Sequence, residues 1–171
     1  MTFSLEVDTT AGKPQVYDDL AAQLGGLLAG ERDPWANVAN TAALLFAVLP
    51  DLNWAGFYFL RGGELVVGPF QGKPACVRIA LGRGVCGAAA AARRTLVVPD
   101  VHAFADHIAC DAASNSEVVV PILLGDRLLG VLDLDSPSPA RFDDEDARGL
   151  ERIAGLVAAG CNWQLAGIDQ S

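Results

Sequence analysis

The sequence predicts an α+β fold in which an antiparallel sheet carries helices on its faces. Three observations lead there. Helical periodicity opens the chain twice and closes it once, the middle reads as short apolar strands, and most of those strands follow one another through hairpin-length turns.

Taken in order, residues 14–29 place Val16, Leu20, Leu24, Leu27 and Leu28 at helical spacing and end near Gly30. Residues 34–49 form a second helix. Asp33 is its N-cap, Pro34 sits at its first position, and Pro50 stops it. The period then changes to two. Asn53 to Leu60 is an aromatic and apolar strand, Gly62-Gly63 turns it, and Glu64 to Phe70 returns as its partner. A short strand follows around Cys76 to Ala80. The Ala-rich segment Gly84 to Ala92 is helical and starts just beyond a glycine-containing loop. Thr95 to Val98 is a short strand stopped by Pro99, and residues 100–115 are an irregular stretch of the length that usually carries function. Ser116 to Leu124 and Arg127 to Asp135 are strands joined at Gly125-Asp126. Asp143-Asp144-Glu145 opens the last helix, which runs to about residue 165 with acids at its N-terminal end, as the helix dipole prefers. The terminal helices are expected to cover one face of the sheet. Residues 84–92 and 100–115 would cover the other face and form a ligand pocket.

The chain of 171 residues fits one domain, residues 1–171, and its 51% apolar composition supports a sizeable core. A net charge of −9 with scattered cations excludes a nucleic-acid partner, because a phosphate backbone needs a basic face. No apolar run has the length of a membrane span, and Met1 to Glu6 lacks the regions of a secretory signal. The expected compartment is a reducing cytoplasm, where cysteine pairs tend to be catalytic or metal-binding.

Three of the four cysteines lie within 35 residues, each in a tight context: Gly72-Lys73-Pro74-Ala75-Cys76, Gly84-Val85-Cys86-Gly87 and His107-Ile108-Ala109-Cys110-Asp111. Cys76 and Cys110 lie outside strong helical patterns and suit exposed reactive thiols. Cys86 stands at a helix start, where partial positive charge lowers a thiol pKa, and there both catalysis and plain packing are open. Cys161, inside an apolar helical stretch, reads as packing. Separations of ten and 24 residues with no C-x-x-C pair argue against zinc, and His102 and His107 match no common ligand spacing. The histidines read as loop-structural.

Glu117 begins one strand of the last hairpin, and Asp133 and Asp135 share a face of its partner. Such carboxylates are costly to bury unpaired. Either they are solvated or capping, or they form a site for an ammonium group, in which one acid stays protonated as a proton donor. Trp54 and Tyr58 share a face of the first strand and can wall a pocket, although aromatics there are most often core. A plain two-residue turn at Gly125-Asp126 sets Glu117 opposite Leu134, on the wrong face for the two aspartates. A common pocket therefore needs a one-residue irregularity, with Pro121 as the expected position.

The segments Asn53-Trp54-Ala55-Gly56-Phe57-Tyr58, Gly84-Val85-Cys86-Gly87, His107 to Glu117 and Gly130-Val131-Leu132-Asp133-Leu134-Asp135-Ser136 resemble the free methionine-(R)-sulfoxide reductases, which are single GAF domains. The resemblance runs from about Tyr17 to the last helix, and regulatory GAF domains lack this cysteine set. It implies a GAF-like sheet and an oxidoreductase that reduces free methionine-(R)-sulfoxide, with a place in oxidative-stress defence. By resemblance Cys110 is the attacking cysteine, Cys76 the resolving one, and Cys86 an auxiliary or alternative resolver. Glu117, Asp133 and Asp135 surround the substrate ammonium and sulfoxide, with Asp135 also in the catalytic set, and Trp54 and Tyr58 wall the substrate methyl group. Attack by Cys110 would release methionine and leave a sulfenic acid. Cys76 would convert that to a disulfide, and thioredoxin would reduce it. No cofactor or metal is implied, and a homodimer is compatible with the chain. The rival readings are a non-enzymatic GAF module that binds a small ligand or senses redox state, and an enzyme acting on protein-bound sulfoxide.

Overall fold

The computed structural model describes residues 7–105 and 112–168. Its elements in chain order are helices α1 (Lys13–Leu28) and α2 (Pro34–Val48), strands β1 (Trp54–Arg61), β2 (Glu64–Gly72) and β3 (Arg78–Ala80), helix α3 (Gly84–Ala92), strands β4 (Leu96–Val98), β5 (Ser116–Leu124) and β6 (Arg127–Ser136), and helix α4 (Asp144–Gly160). One-turn 3-10 helices at Val101–Ala103 and Trp163–Leu165 complete it. This is an α+β fold, a six-stranded antiparallel sheet in the order β3-β2-β1-β6-β5-β4.

Local chemistry starts the helices where the sequence predicts. The Asp33 carboxylate accepts from Ala36 N at 2.9 Å, so α2 begins at Pro34. Asp143 accepts from Glu145 N and Asp146 N, while Asp146 accepts in return from Asp143 N, a reciprocal cap for α4. Asp146 is fully buried. It is satisfied by Lys13 Nζ at 2.6 Å, Tyr17 OH at 2.9 Å and Arg141 Nη1 at 3.2 Å, which ties α1 to the start of α4. The last helix stops at Gly160, short of the expected residue 165. Cys161 is therefore its C-cap residue rather than part of the helix, and the chain turns there into the second 3-10 turn. Two shorter differences concern edge strands, since β3 starts at Arg78 rather than Cys76 and β4 at Leu96 rather than Thr95.

The sheet separates two apolar layers. On one side α1, α2 and α4 close over Leu20, Leu24, Leu45, Phe57, Phe59, Leu132 and Leu134. Each of these large side chains contributes roughly 1.5–3 kcal/mol by leaving water. On the other side α3 and the Val101 turn pack over Trp54, Tyr58, Val119 and Val131. Terminal helices on one face and the middle segments on the other is the predicted division.

The irregularity required of the last hairpin is present, but not at Pro121. Leu124 pairs with Arg127 and Leu123 with Leu128, whereas Ile122 pairs with Gly130 and Glu117 with Asp135. Leu129 is thus the extra residue, and the bulge lies in β6. Pro121 stays in register opposite Val131. β4 pairs only with residues 117–119, so at Pro121 one side of β5 has no neighbouring strand and a missing N–H is tolerated. Beside the bulge β1 comes very close to Gly130, where an added Cβ would lie 2.0 Å from the Tyr58 carbonyl oxygen.

Candidate functional site

The bulge decides the site. With Glu117 opposite Asp135, and Val119 opposite Asp133, all three acids point to the α3 side of the sheet. The pairing of β1 with β6 adds the aromatics, because Trp54 lies opposite Asp135 and Gly56 opposite Asp133. Trp54 and Tyr58 stack with centroids 5.8 Å apart, and Phe70 of β2 stacks with Trp54 at 5.2 Å. Gly56 between them makes this possible, since a Cβ there would meet the Trp54 ring at 2.7 Å and Phe70 Cβ at 2.3 Å. The indole is oriented by its N–H, which donates to the Lys73 carbonyl at 3.2 Å.

These side chains line one pocket, open to solvent at its mouth. Its floor is Trp54, Tyr58, Glu117, Asp133 and Asp135, α3 contributes Val85 and Cys86, and the rim holds Lys73, Pro74, Ala75, Arg83 and Ser114. Asn53 steadies the rim by donating from Nδ2 to Ser114 Oγ at 3.0 Å. Asn115, next in the chain, anchors the same segment. Its backbone N–H donates to the Ser136 carbonyl at 2.8 Å, its Nδ2 to the Pro137 carbonyl at 2.7 Å, and its Oδ1 lies 3.1 Å from His102 Nε2. His102 is a structural loop residue, as expected.

Electrostatically the acids are not ordinary. Glu117 is 6% exposed and Asp133 5% exposed. Burial drives the Glu117 pKa well above the usual carboxylate range, with the Asp133 and Asp135 charges adding to it. Burial also pushes Asp133 up to about 7, against the opposing effect of hydrogen bonds from Cys86 and Glu117. The pair therefore retains a proton near neutral pH. Asp133 Oδ1 is buried and has no hydrogen-bond partner. Asp135 is half-buried nearer the mouth. Tyr58 stays a phenol, its pKa raised by burial and then by Asp133.

Cys86 overturns one expectation. It lies in the first turn of α3, yet burial, and after it the Asp133 and Glu117 charges, push its thiol well above the ordinary value. A dipole that acts only over the first turn is outweighed once water is excluded and two acids stand beside the sulfur. The thiol lies 3.9 Å from Glu117 Oε1. One donor atom each of Cys86, Glu117 and Asp133 fall within 4.8 Å of one another, a set able to hold a metal ion.

Of the other cysteines, Cys76 is half-buried and disulfide-bonded rather than an exposed thiol. Cys86 and Cys161 are free. Cys161 is buried, accepts from Asn37 Nδ2 at 3.6 Å and has its pKa raised by burial, in keeping with a packing role. Cys110 and His107 lie outside the described residues. Sequence reasoning brought Trp54, Tyr58, Cys86, Glu117, Asp133 and Asp135 to one pocket. It missed Gly56, Phe70, Ser114 and Arg83. A glycine inside a strand is a signal of close approach and would have found the first; the others have no local signal.

The GAF domain family signature matches residues 20–160. The chain is 53% identical over 141 residues to the free methionine-R-sulfoxide reductase of Escherichia coli, covering 82% of this chain and 86% of that one. Among solved structures it is similar to the free methionine-R-sulfoxide reductase of Neisseria meningitidis in complex with its substrate, at 43% identity and TM-score 0.88, covering 92% of this chain and 94% of the other. It is also similar to a GAF sensor protein from Burkholderia vietnamiensis at 58% identity and TM-score 0.87, covering 91% and 99%.

Proposed function

The chain belongs to the GAF-domain family of free methionine-R-sulfoxide reductases and is an oxidoreductase, and we propose that it reduces free methionine-(R)-sulfoxide to methionine through a cysteine sulfenic acid and an intramolecular disulfide. One observation carries the reading. Glu117, Asp133 and Asp135 meet on one face of an aromatic-walled pocket, where the buried Asp133 Oδ1 calls for a cationic or proton-donating partner.

The ammonium group of a free amino acid is that partner, and the open Asp133 Oδ1 is an acceptor for it. Trp54 and Tyr58 wall the methyl end. Cys110, as thiolate, attacks the sulfoxide sulfur. The proton held by the Glu117–Asp133 pair goes to the sulfoxide oxygen, with Asp135 beside the pair. Asp135 remains a contact for the substrate ammonium. The hydroxyl then passes from the substrate sulfur to Cys110 Sγ as the substrate S–O bond and the transient Sγ–S bond break, so methionine leaves and Cys110 becomes a sulfenic acid. Cys76 condenses with it, losing water and forming the disulfide. Cys76 is disulfide-bonded while Cys86 and Cys161 are free thiols, which supports Cys76 over Cys86 as the resolving cysteine. A dithiol protein of the thioredoxin class then restores both thiols by exchange and is itself oxidised. The steps need no metal or organic cofactor. Among the described residues no helix is long and apolar enough to cross a membrane, in keeping with a substrate met in water. A cytoplasmic site of action and a homodimer are part of the same proposal.

The test is turnover with a dithiol reductant on three substrates: free methionine-(R)-sulfoxide, its S epimer and the N-acetylated R form. The reading expects activity on the first alone. Loss of the ammonium contact costs on the order of 2–4 kcal/mol, or roughly 30- to 1000-fold in kcat/KM. Equal turnover of free and acetylated substrates would sink the carboxylate-pocket reading and revive action on protein-bound sulfoxide. Absence of any turnover would favour a ligand-binding GAF module.

A further inference from the structure

We propose that Cys86, Glu117 and Asp133 form a chelating site for a thiophilic divalent cation of the zinc class, and that this ion inhibits the enzyme by occupying the place of the substrate ammonium.

Three features of the cluster carry this. The first is spacing. One sulfur and two carboxylate oxygens lie within 4.8 Å of one another, with Cys86 Sγ 3.9 Å from Glu117 Oε1. A tetrahedral zinc ion with Zn–S near 2.3 Å and Zn–O near 2.0–2.2 Å sets its sulfur and oxygen ligands about 3.5 Å apart. Side-chain torsions alone close that small gap. The second is the unmet acceptor. Asp133 is 5% exposed, yet its Oδ1 has no hydrogen-bond partner. A buried carboxylate oxygen left unpaired is costly, and a cation bound there removes the cost. The third is the donor chemistry. A cysteine sulfur beside two carboxylates favours zinc or cadmium over magnesium and calcium, which take oxygen ligands only. Three protein ligands leave one position of a tetrahedron for water or for Asp135, which lines the same pocket.

Binding forms one metal–sulfur and two metal–oxygen bonds and releases to solvent the thiol proton and the proton held by the carboxyl pair. No electron is transferred. The ion serves as an inhibitor, because the proposed turnover uses no metal. Binding rests on the geometry of the cluster alone, whereas inhibition rests on the reading of this pocket as the substrate site.

The experiment uses the full chain, reduced and then freed of dithiol under inert gas, and titrates zinc and cadmium by calorimetry and ultraviolet absorption. Cys76 and Cys110 are removed as competing ligands in the double variant Cys76→Ser/Cys110→Ser, which binds substrate without turning it over. That variant is expected to take up one equivalent of zinc, to show the sulfur-to-cadmium charge-transfer band, and to release the metal as free methionine-(R)-sulfoxide is added. Since even indirect supporting partners of a metal ligand are worth 10–100-fold in affinity, adding Cys86→Ser should weaken binding at least ~100-fold and abolish the band. Glu117→Gln, in the same background, should weaken zinc without loss of the band. Thermal melts of each variant establish that it is folded. The site is overturned if the double variant binds no zinc, or if a folded Cys86→Ser variant binds it as well as its parent. Zinc bound but not displaced by the sulfoxide overturns the inhibition. Zinc and the band present in a chain with no reductase activity uphold the site and overturn only the proposed substrate.

Discussion

Glu117 lies directly opposite Asp135 because Leu129 is one residue too many for a regular hairpin. Without that residue the turn at Gly125-Asp126 would pair Glu117 with Leu134 and send its carboxylate into the helical layer. A single bulge near one end of β6 thus sets the face of an acid near the other end.

Next to the bulge, Gly130 permits the close approach of β1, which gives the first prediction. Gly130→Ala puts a Cβ where the Tyr58 carbonyl oxygen already stands, so strands β1 and β6 must separate. Overpacking of this kind costs about 1–3 kcal/mol, and the register shift should also lower activity. Urea unfolding reads the stability; a variant as stable and active as the parent contradicts the close-approach account.

A split phenotype is expected from the cysteines. Cys110→Ser should release no methionine, since a hydroxyl is a poor nucleophile near neutral pH. Cys76→Ser should release one methionine per active site and then fail to recycle through a thioredoxin-class reductant. Single-turnover chromatography and mass spectrometry decide it. A dominant Cys86–Cys110 link in the wild type after one turnover would move the resolving role to Cys86.

Cys161 should be a bystander. Its thiol packs at the end of α4 beside Asn37. Cys161→Ala leaves a small void, expected to cost about 1 kcal/mol in stability with kcat/KM unchanged. A large loss of activity in a folded variant would contradict the packing role.

Asp133 ties stability to pH. Its folded pKa of about 7 lies above the unfolded value of 3.8, so between those values the folded state holds the extra proton. Stability from this group is therefore full below the unfolded value and is lost as pH rises toward 7 and beyond. The loss is on the order of 2–4 kcal/mol. Asp133→Asn, uncharged at every pH, should flatten this part of the profile. Chemical denaturation at pH 5, 6, 7 and 8 is the measurement, and an unchanged slope in Asp133→Asn would assign the dependence elsewhere. The proton donated to the sulfoxide oxygen belongs to the same pair, so single-turnover rates at subsaturating substrate, which report the free enzyme, should also fall as pH rises past about 7.

Periodicity and capping made most of the fold legible. Asp33 with Pro34, the acids at the start of α4 and the Gly62-Gly63 turn act within a few residues, so local sequence determines them. The alternation of β6 likewise puts Asp133 and Asp135 on one face regardless of what surrounds them. The cysteine contexts and strand motifs carried the family resemblance as well. Tertiary structure alone decided the rest. The end of α4 at Gly160 is held from far along the chain, where the Asn162 N–H donates to the Arg32 carbonyl at 2.7 Å. The bulge sits at Leu129 rather than Pro121, because proline's missing donor matters only where a neighbouring strand needs it. Trp54 meets Asp135 across strands 81 residues apart in the chain (135 − 54), a pairing that no local pattern encodes. Cys86 is the sharpest case. Its local setting at a helix start favours a thiolate, but folding removes water and brings Glu117 and Asp133 beside the sulfur. Desolvation and like charge then outweigh the dipole and keep the proton in place.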